Sequence, residues 1–159
     1  MLNRPLKTAN PLIRAIFLMA FALVASVVSF NSHAATLEKD GYVIYYSAFN
    51  ASFITEQVAK AYNLNRSRFR GMINIAVHKK MKDGTTKPVV AQLSGYARRL
   101  SGSESPLEFE MVGEGESIYY LAQTIIANRE TLRFDIKIKP TPQHTPIKLS
   151  FTQDFYTES

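Results

Sequence analysis

Three arginines at every second position, Arg66, Arg68 and Arg70, form the grouping of side chains in this sequence best suited to hold a ligand. In an extended segment all three point the same way and make a positive stripe beside Phe69. Arg98 and Arg99 add a second basic cluster. The guanidinium fork donates two parallel hydrogen bonds to phosphate or carboxylate, so the chemistry of such a stripe is anion recognition. The competing reading is a solvated face that keeps a sheet edge from pairing with neighbours. Tyr119-Tyr120 and Tyr45-Tyr46 each place one ring on either face of a strand. One ring of each pair packs in a core, and the other is free to form an aromatic spot for sugar or peptide. Arg66, Arg68, Arg70, Tyr119 and Tyr120 are the candidate binding residues.

Catalytic signals are weak by comparison. Past residue 34 the only histidines are His78 and His144. His78 sits on the strand face opposite Ile73, Ile75 and Val77, next to Lys79 and Lys80, and reads as a solvated strand-end residue. His144 lies in a proline-rich loop and is expected to be exposed. No Gly-x-Ser-x-Gly elbow frames a nucleophile. There is no cysteine, no His-x-x-x-His and no HExxH, so zinc has little to bind. Glu114 and Glu116 flank Gly115 in a turn, too few acidic positions for a calcium loop. No catalytic residue, metal site or cofactor is assigned.

The dominant period is two, the period of strands. Leu132, Phe134, Ile136 and Ile138 alternate with Arg133, Asp135, Lys137 and Lys139. Ile147, Leu149 and Phe151 do the same, as do Ile73, Ile75 and Val77, and Leu107, Phe109 and Met111. Tyr42 to Phe49 is apolar on both faces, so something must cover it. Pro88 to Ala97 and Ser117 to Ile126 bring the expectation to about seven strands. Turns at 82–85, 101–106, 113–116, 128–130 and 140–146 separate them. The long connection 50–70 holds one short helix, with Thr55 as its cap, Glu56 in the first turn, and Val58, Ala61 and Tyr62 on one face. The fold class is all-β, an immunoglobulin-like two-sheet antiparallel sandwich, with a small barrel as the alternative.

The first 34 residues read as a cleavable secretory signal. Arg4, Lys7 and Arg14 give a positive start, and Ala15 to Phe30 is an uncharged apolar run. Ser32-His33-Ala34 then places small residues for cleavage between Ala34 and Ala35. A run of 16 residues spans about 24 Å as a helix, short of a hydrocarbon core of about 30 Å. Residues 35–159 are then one domain by length. Without the three leader cations the 19 basic residues fall to 16 against 13 acidic, a net +3 rather than +6. That balance is ordinary and is no argument for nucleic acid. With no cysteine and no tryptophan, packing rests on Tyr and Phe.

Several segments are familiar together. They are Tyr45 to Asn50, Phe53-Ile54-Thr55, Val58 to Tyr62, Gly113 to Ala122, Leu132-Arg133-Phe134 and Phe151 to Tyr156. The chain resembles a family of small exported proteobacterial proteins catalogued as domain of unknown function 4426. The resemblance implies an exported, β-rich single domain and supplies no activity. The expected protein is a periplasmic, non-catalytic binding or accessory domain. Its expected partner is an envelope protein or an anionic surface component, with no stable membrane insertion after cleavage. A small periplasmic hydrolase and a structural subunit of an envelope assembly are the alternatives.

Overall fold

Strand alternation builds two facing antiparallel sheets. The computed structural model describes residues 35–157, so the leader and its cleavage site after Ala34 lie outside the described residues. These hold ten strands: β1 (Ala35–Lys39), β2 (Tyr42–Asn50), β3 (Arg70–Lys80), β4 (Thr86–Pro88), β5 (Gln92–Arg99), β6 (Glu104–Leu107), β7 (Glu110–Glu114), β8 (Ser117–Ile125), β9 (Glu130–Lys139) and β10 (Ile147–Phe155). One helix, α1 (Glu56–Ala61), follows a 3-10 turn at Ala51–Phe53. The six-stranded sheet runs β1-β2-β3-β8-β7, with β4 paired to the far half of β3. The four-stranded sheet runs β10-β9-β5-β6. The sheets remain separate, so the arrangement is the expected sandwich and the barrel alternative is excluded.

The core lies between the sheets and follows the period-two pattern. Leu132, Phe134, Ile136 and Ile138 of β9 are buried against Ile73, Ile75 and Val77 of β3, while Arg133 and Lys137 face water. Tyr46, Phe151, Phe134 and Phe155 form a continuous aromatic run between the sheets, with ring centroids 4.8, 5.0 and 6.3 Å apart. Offset and edge-on pairs of this kind add to area burial.

Ten strands replace the seven expected, for three physical reasons. First, β1 carries a single core residue, Leu37, and is an edge strand with charges on its outer side. Its signal was the Asp40-Gly41 turn, where both residues take positive φ (52° and 78°) and close a two-residue hairpin. Second, the run Pro88 to Ala97 breaks at Val89–Ala91, where the chain leaves the six-stranded sheet for the four-stranded one. Third, Leu107 to Met111 breaks at Glu108–Phe109, where it crosses back. Apolar periodicity continues through such corners because both sheets share one core.

The helix is where it was expected, with the Thr55 hydroxyl accepting from the Val58 N–H at 3.3 Å. Its buried residue is Ala59, however, while Val58 and Ala61 are exposed. The connection covers one end of the outer face of β2 and β3, burying Met72, which accounts for the two-faced apolar character of β2 there.

Gly95 permits the close approach of β5 to β9: a Cβ there would lie 2.6 Å from the Asp135 carbonyl oxygen. Gly113 has open space around it. Gly95→Ala should therefore cost about 1–3 kcal/mol by overpacking, while Gly113→Ala should change stability by less than about 0.5 kcal/mol. Paired urea titrations of the two variants check this, and equal effects would refute it.

Candidate binding surface

The stretch Asn65–Phe69 is irregular and ends in a turn before β3 opens at Arg70, and the sequence chemistry explains why. Asn65 Oδ1 accepts from the Ser67 N–H at 3.0 Å, and Ser67 Oγ accepts from the Phe69 N–H at 3.1 Å. Such short side chains capture the backbone two residues on and compete with extended structure. Asn65 is also held to β8, its N–H and carbonyl meeting the Gln123 amide at 3.1 and 2.8 Å. The condition for a one-sided arginine stripe, an extended segment, is thus not met.

The three arginines diverge. Arg66 turns back to the start of α1, donating to the Ile54 carbonyl at 2.7 Å and pairing with Glu56 at 3.3 Å. Arg68 lies over the Phe69 ring, 4.8 Å from its centroid. Arg70 opens β3 and lines a hollow of about 200 Å3 together with Glu108 and Glu110. The second basic cluster is neutralised: Arg98 pairs with Glu104 at 2.6 Å and Arg99 with Glu130 at 2.9 Å. Arg99 also donates to the Ile125 carbonyl and to Ser105 Oγ, tying β5 to the end of β8 and to β6.

The tyrosine pairs divide between faces as alternation requires. Tyr120 points inward, and its hydroxyl accepts from the buried Ala91 N–H at 2.7 Å, so it packs as a core residue. Tyr119 points outward and lines a shallow apolar groove of about 180 Å3 with Phe49, Val58, Met72 and Leu121. Tyr46 is in the core, and Tyr45 is exposed beside His78, rings 5.1 Å apart and edge-on. His78 meets Thr86 Oγ1 at 3.2 Å, and His144, part-buried rather than exposed, packs edge-on to Tyr42.

What the sequence reading missed is an apolar cluster at the arginine-bearing end. Phe53 (78% exposed), Phe69, Leu100 (90% exposed), Ile125 and Tyr156 all face solvent there. Backbone links place them together. The Phe69 carbonyl accepts from Ile126, Arg70 pairs with Ile125, and Arg99, beside Leu100, reaches the Ile125 carbonyl. Asn50, paired with Gly71, donates to the Tyr156 carbonyl at 2.6 Å, and Phe53 lies three residues beyond it. Ile125 was legible, since Tyr120, Ala122 and Thr124 point inward and leave it outward. The others sit in turns, where alternation carries no information about exposure. No helix among the described residues is long and apolar enough to cross a membrane.

Two outcomes follow from this geometry. Arg99→Met should cost about 1.5–3 kcal/mol, because Arg99 makes charge-assisted bonds in a part-buried setting. Arg98→Met breaks an exposed pair and should cost less than about 1 kcal/mol, which thermal or urea unfolding will resolve. Burial holds the His78 pKa below its ordinary 6.5. Its neutral form therefore stabilises the fold above that value, and the contribution is lost as pH falls through the lowered folded pKa. Stability at pH 5 should fall below that at pH 7.5, and His78→Phe should narrow the difference. An unchanged gap would show that His78 is not responsible.

Comparison with known proteins gives one family and one informative structure. The family described as domain of unknown function 4426 (DUF4426) matches residues 37–158. A crystal structure of a DUF4426 family protein from Pseudomonas aeruginosa PAO1 is similar, at 35% sequence identity and a TM-score of 0.67. That alignment covers 79% of this chain and 96% of the Pseudomonas chain. No curated protein matches.

Proposed function

The chain belongs to the DUF4426 family, and from that premise we propose that it is a non-catalytic periplasmic binding or accessory domain whose partner is an envelope protein. The observation that carries this reading is that Phe53, Phe69, Leu100, Ile125 and Tyr156 are all exposed at one end of the sandwich, with Arg68 lying over Phe69. Exposed apolar side chains gathered in one place mark interaction surfaces. Aromatic residues and arginine are also the types enriched at the centres of protein interfaces. Arg68, lying over Phe69, has guanidinium donors for a partner carboxylate, and among the described residues it has no ion pair of its own.

The hydrolase reading needs a histidine oriented by a carboxylate beside a nucleophile. His78 meets a threonine hydroxyl and His144 Nδ1 meets its neighbour's carbonyl, which favours binding over catalysis. Periplasmic location rests on the leader-like segment 1–34.

Photo-crosslinking in intact cells tests the surface. A crosslinker at position 53 or 69 should give one discrete protein adduct that is absent with the crosslinker at position 139. Arg68→Ser should reduce the adduct by about tenfold, the factor for roughly 1.4 kcal/mol of lost contact. Equal labelling from position 139, or no adduct from positions 53 and 69, would sink the proposal.

A further inference from the structure

The outer face of the four-stranded sheet carries a second surface, independent of the end described above. Register sets its side chains in rows. Ser94, Lys137 and Lys148 stand side by side across β5, β9 and β10, and the next row is Tyr96, Asp135 and Ser150. These six line a hollow of about 380 Å3, flanked by Arg98 and Glu104. Two features need explanation. Tyr96 is half exposed, with Pro106 beside it, on a largely polar sheet face. Lys137 and Lys148 are directly opposite each other, and neither has an ion pair among the described residues. Like charges in that position destabilise a sheet. Asp135, by contrast, is paired, accepting from Ser150 Oγ at 2.5 Å and from Arg133 Nε at 3.1 and 3.2 Å, with acceptor capacity to spare.

We propose that this hollow binds an acidic saccharide, a pyranose packed on Tyr96 with its carboxylate between Lys137 and Lys148. An exposed aromatic ring offers an apolar platform for the C–H face of a sugar, and a few placed polar groups fix its orientation. The Ser94 hydroxyl can donate to a ring hydroxyl, and Ser150 Oγ and the Asp135 carboxylate can accept from one. The Ser150 hydrogen bond, with the Arg133 charge, holds the Asp135 carboxyl below the usual carboxylate range, so it remains an acceptor. The same carboxylate argues against a free phosphate, whose higher charge it repels, whereas a singly charged uronate leaves only hydroxyls near it. The hollow has the volume of a small-ligand site.

The test titrates the protein with trimers of galacturonate, mannuronate and glucuronate, with their neutral counterparts and with inorganic phosphate, by calorimetry and amide chemical shifts. At least one uronate trimer should bind and shift the amides of residues 94–98 and 135–137. Tyr96→Ala, an exposed change that leaves the core intact, should weaken it about tenfold. Lys137→Gln and Lys148→Gln should each weaken the uronate about tenfold and leave the neutral trimer unaffected. Failure of every uronate to shift these amides overturns the proposal. So does phosphate binding that needs the lysines and ignores Tyr96→Ala, which would make the hollow a bare anion site. Neutral trimers binding as tightly as acidic ones overturn the role given to the lysines. None of these results bears on crosslinking from positions 53 and 69, which lie away from this face.

Discussion

The structure depends on an aromatic seam that joins the two sheets. Without cysteine the sandwich has no covalent staple, and without tryptophan its largest inward groups are Phe and Tyr. Tyr46 of β2 meets Phe151 of β10, which stacks on Phe134 of β9, which in turn meets Phe155. Phe155 closes the circuit against β3, where Gly71 leaves room for its ring: a Cβ at Gly71 would lie 3.0 Å from the ring carbons. Two sheets that pair no strands with each other are thereby locked in one relative placement. Links between the sheets recur at both ends, where Asn50 after β2 donates to the Tyr156 carbonyl beyond β10 and Tyr42 of β2 packs on His144. Arg99 repeats the device at the rim, reaching from β5 in one sheet to the last carbonyl of β8 in the other.

Alternation in β3, β9 and β10 made the sandwich legible, since a half-buried strand must put every second residue in the core. The same rule correctly divided Tyr119 from Tyr120. It failed at corners, where the shared core lets apolar periodicity run on while hydrogen bonding changes sheets, as at Val89–Ala91. At Arg66–Arg70 period-two spacing aligns the side chains only if the chain is extended, and it is not. Asn65 and Ser67 were the contrary signal, and their hydrogen bonds to the backbone two residues on decided the local structure. Exposed apolar residues in turns, such as Phe53 and Leu100, carry no periodic signal at all, so the apolar end of the molecule emerged only from the fold.

The fold also sorts the two basic residue types, which composition cannot reveal. Arg66, Arg98, Arg99 and Arg133 each pair with a carboxylate. Of the lysines, only Lys80 does so among the described residues. Lys39, Lys79 and Lys87 line up in one row across β1, β2, β3 and β4, with Tyr42 between the first two. His144, in the β9–β10 turn, packs on that same Tyr42, so Lys139 and Lys148 on either side of the turn belong to the same end of the sandwich. The opposite end bears the arginines of the 66–70 segment together with exposed Phe53, Phe69, Leu100, Ile125 and Tyr156.

This division follows from the chemistry of the two cations. Guanidinium is weakly hydrated, stacks on rings and makes directed forked bonds, so it suits a partly desolvated surface with apolar neighbours, as Arg68 over Phe69 shows. Ammonium is compact and strongly hydrated, and where it stands unpaired it keeps its water until a ligand displaces it. A net +3 on residues 35–159 is therefore not one diffuse property. At one end Arg66 and Arg99 are paired with carboxylates while Arg68 lies over a ring. At the other, Lys39, Lys79 and Lys87, and on β9 and β10 Lys137 and Lys148, have no ion pair among the described residues. By this chemistry a partner proposed for the first end would be selected for fit and a ligand proposed for the lysines of β9 and β10 for charge.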